Sequence, residues 1–328
     1  MSPLRVLITT RSFRAMPGAH QQLLEEAGCE IVNSPVNRPL EAHELADLLP
    51  GIDGVILGVD PITPEVLERA DRLRVISRYG IGLDAVDLAA ATAKGIVVTN
   101  TPGGNTNAVA ELTLAYMLAL ARNLPRHDRQ IRQRDWSLLK GRELTGQTLG
   151  LIGMGRIGRR VAELVRPFNM PILFYDPYPP DAAFLQQVNG KAVMLDEVIT
   201  SSDFISLHLP LSDQTRNLIN ADVLAKMKPG AFLVNTARGG LVDETALYDS
   251  LQAGRLGGAA FDAFAQEPAF DSILITCDNF IATPHIGSST VQATLQMGLM
   301  ASQNLLAVLR GERPEFVVNP AVYATGHT

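Results

Sequence analysis

The sequence predicts an α/β protein built from two doubly wound parallel-sheet domains. Three observations carry that prediction. The chain has 328 residues, more than the roughly 100–200 of one ordinary domain. Short apolar runs alternate with amphipathic segments along most of its length, as when strands are joined by crossover helices. A complete G-x-G-x-x-G turn, Gly153-Met154-Gly155-Arg156-Ile157-Gly158, stands between a strand-like and a helix-like segment.

In the first part of the chain the apolar runs 6–8, 30–32, 55–57, 75–76 and 96–98 read as strands. Helical patterns lie between them: 21–27, closed by Gly28, and 88–93, entered through Asp84 and Asp87 and closed by Gly95. Asn100-Thr101-Pro102-Gly103-Gly104-Asn105 is a turn-rich break, read here as the hinge into the second domain. It opens a long apolar helix over 106–122. The most apolar part, 108–121, contains Glu111 and Thr113 and is shorter than the roughly 20 residues that span a bilayer, so it reads as buried in protein. The charged stretch 126–142, which holds the single tryptophan, Trp136, is either an arm that packs on a partner subunit or a solvated loop.

The glycine turn is the most informative stretch. Leu149, Leu151 and Ile152 precede it as a strand buried on both faces. Ile157, Val161, Leu164 and Phe168 follow at helical spacing, with Arg159, Arg160 and Glu163 on the wet side and Pro167 near the end. Gly153 allows the tight turn, Gly155 lets a phosphate approach the backbone, and Gly158 lets the helix lie close on the strand. The free N–H groups of the helix start then face a pyrophosphate. A second strand, 172–175, ends in Asp176, where a carboxylate can accept from adenosine ribose hydroxyls and repel the extra phosphate of NADP. The expectation is dinucleotide binding with NAD favoured; the plainer alternative is an acid capping a loop at the sheet edge.

Composition narrows the class. With 46% hydrophobic residues the chain can bury two cores, and a net charge of −6 with scattered basic residues excludes a nucleic-acid footprint. Cys29 and Cys277 have no metal-ligand spacing and fit reduced thiols of a cytoplasmic protein. No metal is expected. The N-terminal apolar run is too short for a signal peptide, and neither export nor a membrane partner is expected.

After Asp176 the alternation resumes with strands at 192–193, 204–207, 231–235, 259–261 and 280–282, which with the two around the glycine turn predicts a seven-stranded sheet. The last helix, about 289–309 and stopped by Gly311, is expected to cross back to the first domain. Ligands of open parallel sheets bind beyond the carboxyl ends of strands. Three polar residues stand there: Arg238, Glu267 and His285. An arginine can hold a planar carboxylate with two donors and polarise the adjacent carbonyl. A histidine can pass a proton near neutral pH, and a carboxylate beside it favours the imidazolium. Together they suit hydride exchange between a nicotinamide and a 2-oxo acid. Singly, each also reads as a loop or strand-end residue. His208, in Leu207-His208-Leu209-Pro210, is the competing proton donor, with a place in the wall of the cofactor site preferred.

These segments resemble the D-isomer-specific 2-hydroxyacid dehydrogenases over nearly the full chain. The resemblance is carried by the glycine turn and by three further runs: Asn235-Thr236-Ala237-Arg238-Gly239-Gly240-Leu241-Val242-Asp243, Phe261-Asp262-Ala263-Phe264-Ala265-Gln266-Glu267-Pro268 and Thr283-Pro284-His285-Ile286-Gly287. It implies Arg238, Glu267 and His285 as the catalytic trio. It implies NAD contacts from Gly153, Gly155, Arg156, Ile157, Gly158, Asp176, Leu209, Pro210, Thr236, Thr106 and Asp262, the last near the nicotinamide amide. The loop Arg78-Tyr79-Gly80-Ile81-Gly82 would give backbone N–H groups to the substrate carboxylate, with Arg78, Gly80, Ile81, Gly82 and Arg238 as substrate contacts.

The implied architecture is a Rossmann cofactor domain, 101–290, inserted into a flavodoxin-like substrate domain, 1–100 plus 291–328. The implied partners are a small 2-oxo or 2-hydroxy acid and a second copy of the chain. The phosphoglycerate dehydrogenases look like the nearest branch. Two departures stand against that choice: Gly58-Val59-Asp60-Pro61 and Ser137-Leu138-Leu139 lie where many of those enzymes carry an arginine, and Asp60 would repel a phosphate. The sequence stops at Thr328 without the appended regulatory domain some of them carry, so feedback control by serine is not expected. The substrates in view are 3-phosphoglycerate, hydroxypyruvate, glyoxylate or a relative. An NAD-sensing corepressor-like binding protein is the alternative from another class, and a phosphite or formate oxidising relative the third reading.

Overall fold

The computed structural model describes residues 3–324, which divide into two compact units. The first comprises the described residues up to Asn105 and those from Ser289 onward; the second is Thr106–Ser288. The chain therefore crosses at 105/106 and 288/289, where the sequence reading put 100/101 and 290/291. The turn-rich break stays with the first unit because Thr101 is bonded there twice: its N–H donates to the Gly80 carbonyl and its Oγ1 accepts from the Gly80 N–H, both at 3.0 Å.

The first unit is a five-stranded parallel sheet of β1 (Arg5–Ile8), β2 (Glu30–Asn33), β3 (Gly54–Leu57), β4 (Val75–Arg78) and β5 (Val97–Thr99), in the order β2-β1-β3-β4-β5. Leu7, Val55, Leu57, Ile76 and Val98 form one side of its core. The Val291–Leu309 helix packs against this sheet, with Ser77 Oγ donating to the Ala301 carbonyl at 2.8 Å, so the chain does return to its first unit. Asp60 does not present its charge to solvent. It is 2% exposed, accepts from the Leu40 N–H at 2.7 Å and the Gly58 N–H at 3.2 Å, and also takes the Thr9 hydroxyl.

The second unit is a seven-stranded parallel sheet: β6 (Leu149–Ile152), β7 (Ile172–Tyr175), β8 (Gly190–Ala192), β9 (Phe204–Leu207), β10 (Phe232–Asn235), β11 (Gly258–Phe261) and β12 (Phe280–Ala282), ordered β12-β11-β10-β9-β6-β7-β8. Alternate residues feed two cores. Leu149, Leu151, Phe174, Phe204 and Val234 face one layer, and Ile152, Ile205, Leu207, Leu233 and Phe261 the other. Such two-faced burial is why these strands read as continuous apolar runs. The Thr106–Ala121 helix buries Tyr116, Met117 and Leu120 in the first of these layers and packs on the Arg156–Leu164 helix. Strand order reverses between β6 and β9, which opens the ligand crevice at their carboxyl ends. Among the described residues no helix is long and apolar enough to cross a membrane, and no cluster of three or more His, Cys, Asp or Glu residues could hold a metal ion.

Candidate active site

The glycine turn lies at that switch point, and each glycine has its own reason. Gly153 has φ +100°, and a Cβ on it would lie 2.4 Å from the His208 carbonyl oxygen at the end of β9. A Cβ on Gly158 would lie 2.3 Å from the Gly153 oxygen, so the helix can start this close to the turn only through glycine. Gly155 is different: it is exposed, and an added Cβ would meet no protein atom within 4 Å. The space over it is open, and no side chain caps the helix that starts at Arg156. Its first N–H groups are therefore available to a phosphate. Asp176 ends β7 with Oδ2 accepting from the Met154 N–H at 2.6 Å and Oδ1 from the Tyr178 N–H at 2.7 Å. Those bonds aim the carboxylate and leave each oxygen a lone pair for a ribose hydroxyl. The residues present fit a dinucleotide.

Around this turn, Leu209, half-buried, and Pro210, exposed, follow β9. Thr236 follows β10, largely buried, its hydroxyl 2.9 Å from that of Thr113. Thr106 opens the long helix with a buried hydroxyl that has no partner among the described residues. His208 sits beside the turn, its Nε2 2.9 Å from Ser206 Oγ. Burial pushes the His208 pKa down to about 3, which disfavours the imidazolium that proton donation at neutral pH would use. It is a wall residue of the glycine turn.

Arg238, Glu267 and His285 are brought together beyond β10, β11 and β12. Asn235 shapes the first loop: its Nδ2 donates to the Arg238 carbonyl at 2.7 Å and its Oδ1 accepts from the Ala237 N–H at 3.1 Å. Gly239 then lies against the next loop, where a Cβ would be 1.9 Å from the Phe264 carbonyl. Glu267 is fixed by the Phe264 N–H, which donates to its Oε1 at 3.0 Å, while Glu244 accepts from the Ala265 N–H at 2.8 Å.

The Glu267 oxygens both lie 3.0 Å from His285 Nδ1. This hydrogen bond raises the His285 pKa above its usual value, against the effect of burial; the charges of Glu267 and Asp262 add to the rise and that of Arg238 opposes it. Burial works against ionisation of Glu267, yet the His285 hydrogen bond and the nearby positive charges hold its pKa below the usual carboxylate range. With Nδ1 engaged, Nε2 is the atom left to exchange a proton, and a side chain 44% exposed can meet a substrate. Asp262 is more enclosed than its sequence position suggests. It is 2% exposed and accepts from the Ile286 and Gly287 N–H groups, each at 2.7 Å, and from Thr283 Oγ1. Its carboxylate ties down the loop that carries His285. Neither this anchoring nor the support from Glu244 had a local sequence signal.

In the loop after β4, Gly80 has φ +139° and its N–H is used within the protein, by Thr101 Oγ1 and the Arg78 carbonyl. Gly80 shapes the loop, and the N–H groups of Ile81 and Gly82 donate to no partner among the described residues. The Arg78 guanidinium folds back to the Tyr79 carbonyl.

The D-isomer specific 2-hydroxyacid dehydrogenase model, NAD binding domain, matches residues 114–287, just over half the chain. The chain belongs to this family. NAD is its cofactor, and the glycine turn lies within the matched NAD binding domain. Among 2-hydroxyacid dehydrogenase relatives, a D-3-phosphoglycerate dehydrogenase of Methanocaldococcus jannaschii is 42% identical over 302 residues, 91% of this chain and 57% of that protein. The chain thus spans little more than half the length of that relative. A glyoxylate reductase of Thermofilum pendens is 39% identical over 317 residues, 94% of each chain. The solved D-lactate dehydrogenase of Aquifex aeolicus, complexed with NAD and lactic acid, superposes with a TM-score of 0.83 at 30% identity, covering 96% of this chain and 99% of that one.

Proposed function

We propose that the protein catalyses NAD-dependent hydride transfer between nicotinamide and C2 of a small D-2-hydroxy acid or its 2-oxo form. The observation that carries this is the His285–Glu267 pair, both carboxylate oxygens 3.0 Å from Nδ1, beside Arg238 at the strand ends of a dinucleotide-binding sheet. NAD, when bound, gives or takes the hydride. In reduction, Arg238 holds the substrate carboxylate and polarises the neighbouring carbonyl, and His285 Nε2 hands a proton to the oxygen as charge grows there. Glu267 keeps the imidazolium charged and aimed. In the reverse direction neutral His285 takes the hydroxyl proton. The Ile81 and Gly82 N–H groups, with Arg78, are assigned to the substrate carboxylate and its substituent.

The acid is 3-phosphoglycerate or a smaller relative such as glyoxylate or hydroxypyruvate. The buried, fully engaged Asp60 removes one argument against a phosphate. The 39% identity to a glyoxylate reductase over 317 residues supports the smaller acids. We further place the protein in the cytoplasm as a homodimer. Two free cysteines support the compartment. The helix Leu124–Arg132, which buries no residue, and the following Trp136 and Leu138, 82% and 86% exposed, support pairing through this arm. Purified protein mixed with NADH and a panel of 2-oxo acids should consume NADH with at least one. Binding of NADH with no consumption across the panel would favour the binding-protein alternative.

A further inference from the structure

We propose that Tyr116 is a positioning residue for the reaction, acting through Thr283 on the Asp262 carboxylate that fixes the His285 loop. The inference rests on His285 as the group that exchanges the proton. Tyr116 lies in the Thr106–Ala121 helix, 3% exposed, in a core layer of Met117, Leu120, Leu149 and Leu151. Phenylalanine would serve that packing as well. The hydroxyl is what leaves the apolar layer, and it meets Thr283 Oγ1.

Proton counting gives this contact a direction. Asp262 accepts from the Ile286 and Gly287 N–H groups, and the single Thr283 hydroxyl proton goes to its Oδ1. Thr283 must then accept, and Tyr116 donates. Burial raises the Tyr116 pKa, which keeps the phenol protonated. Beyond Asp262 the same carboxylate accepts from the Ile286 and Gly287 N–H groups, each at 2.7 Å. It therefore holds the backbone just after His285 and the Thr283 side chain just before it. His285 has φ +53°, a left-handed conformation unusual for a non-glycine residue and kept only where its surroundings impose it. A series of hydrogen bonds thus runs from Tyr116 through Thr283 to the Asp262 carboxylate, which accepts from the loop that carries His285.

The charged groups that face His285 are Glu267 after β11, Asp262 at the end of β11 and Arg238 after β10. Of these, Asp262 is the one linked to Tyr116. Without the phenol proton Thr283 becomes a weaker donor, Asp262 is less neutralised, and its charge favours the imidazolium more.

The test compares the unaltered full chain with Tyr116→Phe, Thr283→Val and the double variant, using glyoxylate and hydroxypyruvate as the 2-oxo acids. Thermal midpoint, NADH dissociation constant and kcat against pH are read for each. Expected for Tyr116→Phe are an unchanged NADH dissociation constant, kcat lowered about fivefold and a basic limb moved to higher pH. The double variant should be no slower than Thr283→Val alone, since both act on one series of bonds. An unmoved pH limb, or additive losses, would overturn the inference while leaving the proposed function intact. No turnover by the unaltered chain would overturn the function first.

Discussion

In the proposed reaction the chemistry centres on His285, whose Nδ1 is fixed by Glu267 while Nε2 is left to exchange a proton. His285→Asn should lower kcat by at least a hundredfold, within the usual contribution of a general acid, while the NADH dissociation constant stays within about twofold, since the residue contributes no bond to the glycine turn. Undiminished turnover would remove it from the mechanism. The raised His285 pKa sets the pH dependence. Reduction needs the imidazolium, so its kcat should be level at low pH and fall as pH rises through a value above the ordinary ~6.5. Glu267→Gln removes the main cause of the rise, and the limb should move to lower pH; a limb that stays in place would show that another group titrates. The same pair contributes folding stability below about pH 6.5 that is lost as pH rises through the folded-state value, a small effect for side chains this exposed. That Arg238, Glu267 and His285 come together was legible in the sequence because each follows a strand by a few residues. The Asp262 anchor, the Tyr116 hydroxyl and the inward turn of the Gly80 N–H were not, because each depends on contacts between residues distant in sequence or on the direction of a single backbone group.

At the scale of elements, the strand–turn–helix unit from β6 to β7 shows how one motif divides structural from functional requirements. Gly153→Ala forces a side chain into a φ of +100° and 2.4 Å from the His208 carbonyl. It should lower stability by about 1–3 kcal/mol or more. Gly155→Ala meets no protein atom, and φ −71° suits alanine. It should leave the thermal midpoint unchanged yet weaken NADH binding about tenfold, or about 1.4 kcal/mol. Calorimetry and NADH titration of the two variants separate these cases. Equal NADH affinity for Gly155→Ala and the unaltered chain would mean that no phosphate rests there. The sequence located β3, β6, β9, β10 and β11 well because they are buried on both faces. β8 was placed slightly late, since Gly190–Ala192 is a half-exposed edge strand with little apolar signal.

At the scale of the molecule, two parallel sheets with orders β2-β1-β3-β4-β5 and β12-β11-β10-β9-β6-β7-β8 each contain one reversal of strand order. The alternation of apolar runs announced both sheets, but strand order follows from crossovers between elements and had to come from the fold. In the second unit the reversal accounts for the dinucleotide site, and the strands beyond it deliver Arg238, Glu267 and His285 to one edge. Hydride transfer at C2 with D configuration is the chemistry proposed for this arrangement, the configuration following the family. The most direct measurement supplies NADH fully deuterated at nicotinamide C4 together with hydroxypyruvate and analyses the glycerate formed. D-glycerate carrying one deuterium at C2 is the predicted result; L-glycerate, or a product without deuterium at C2, would contradict it.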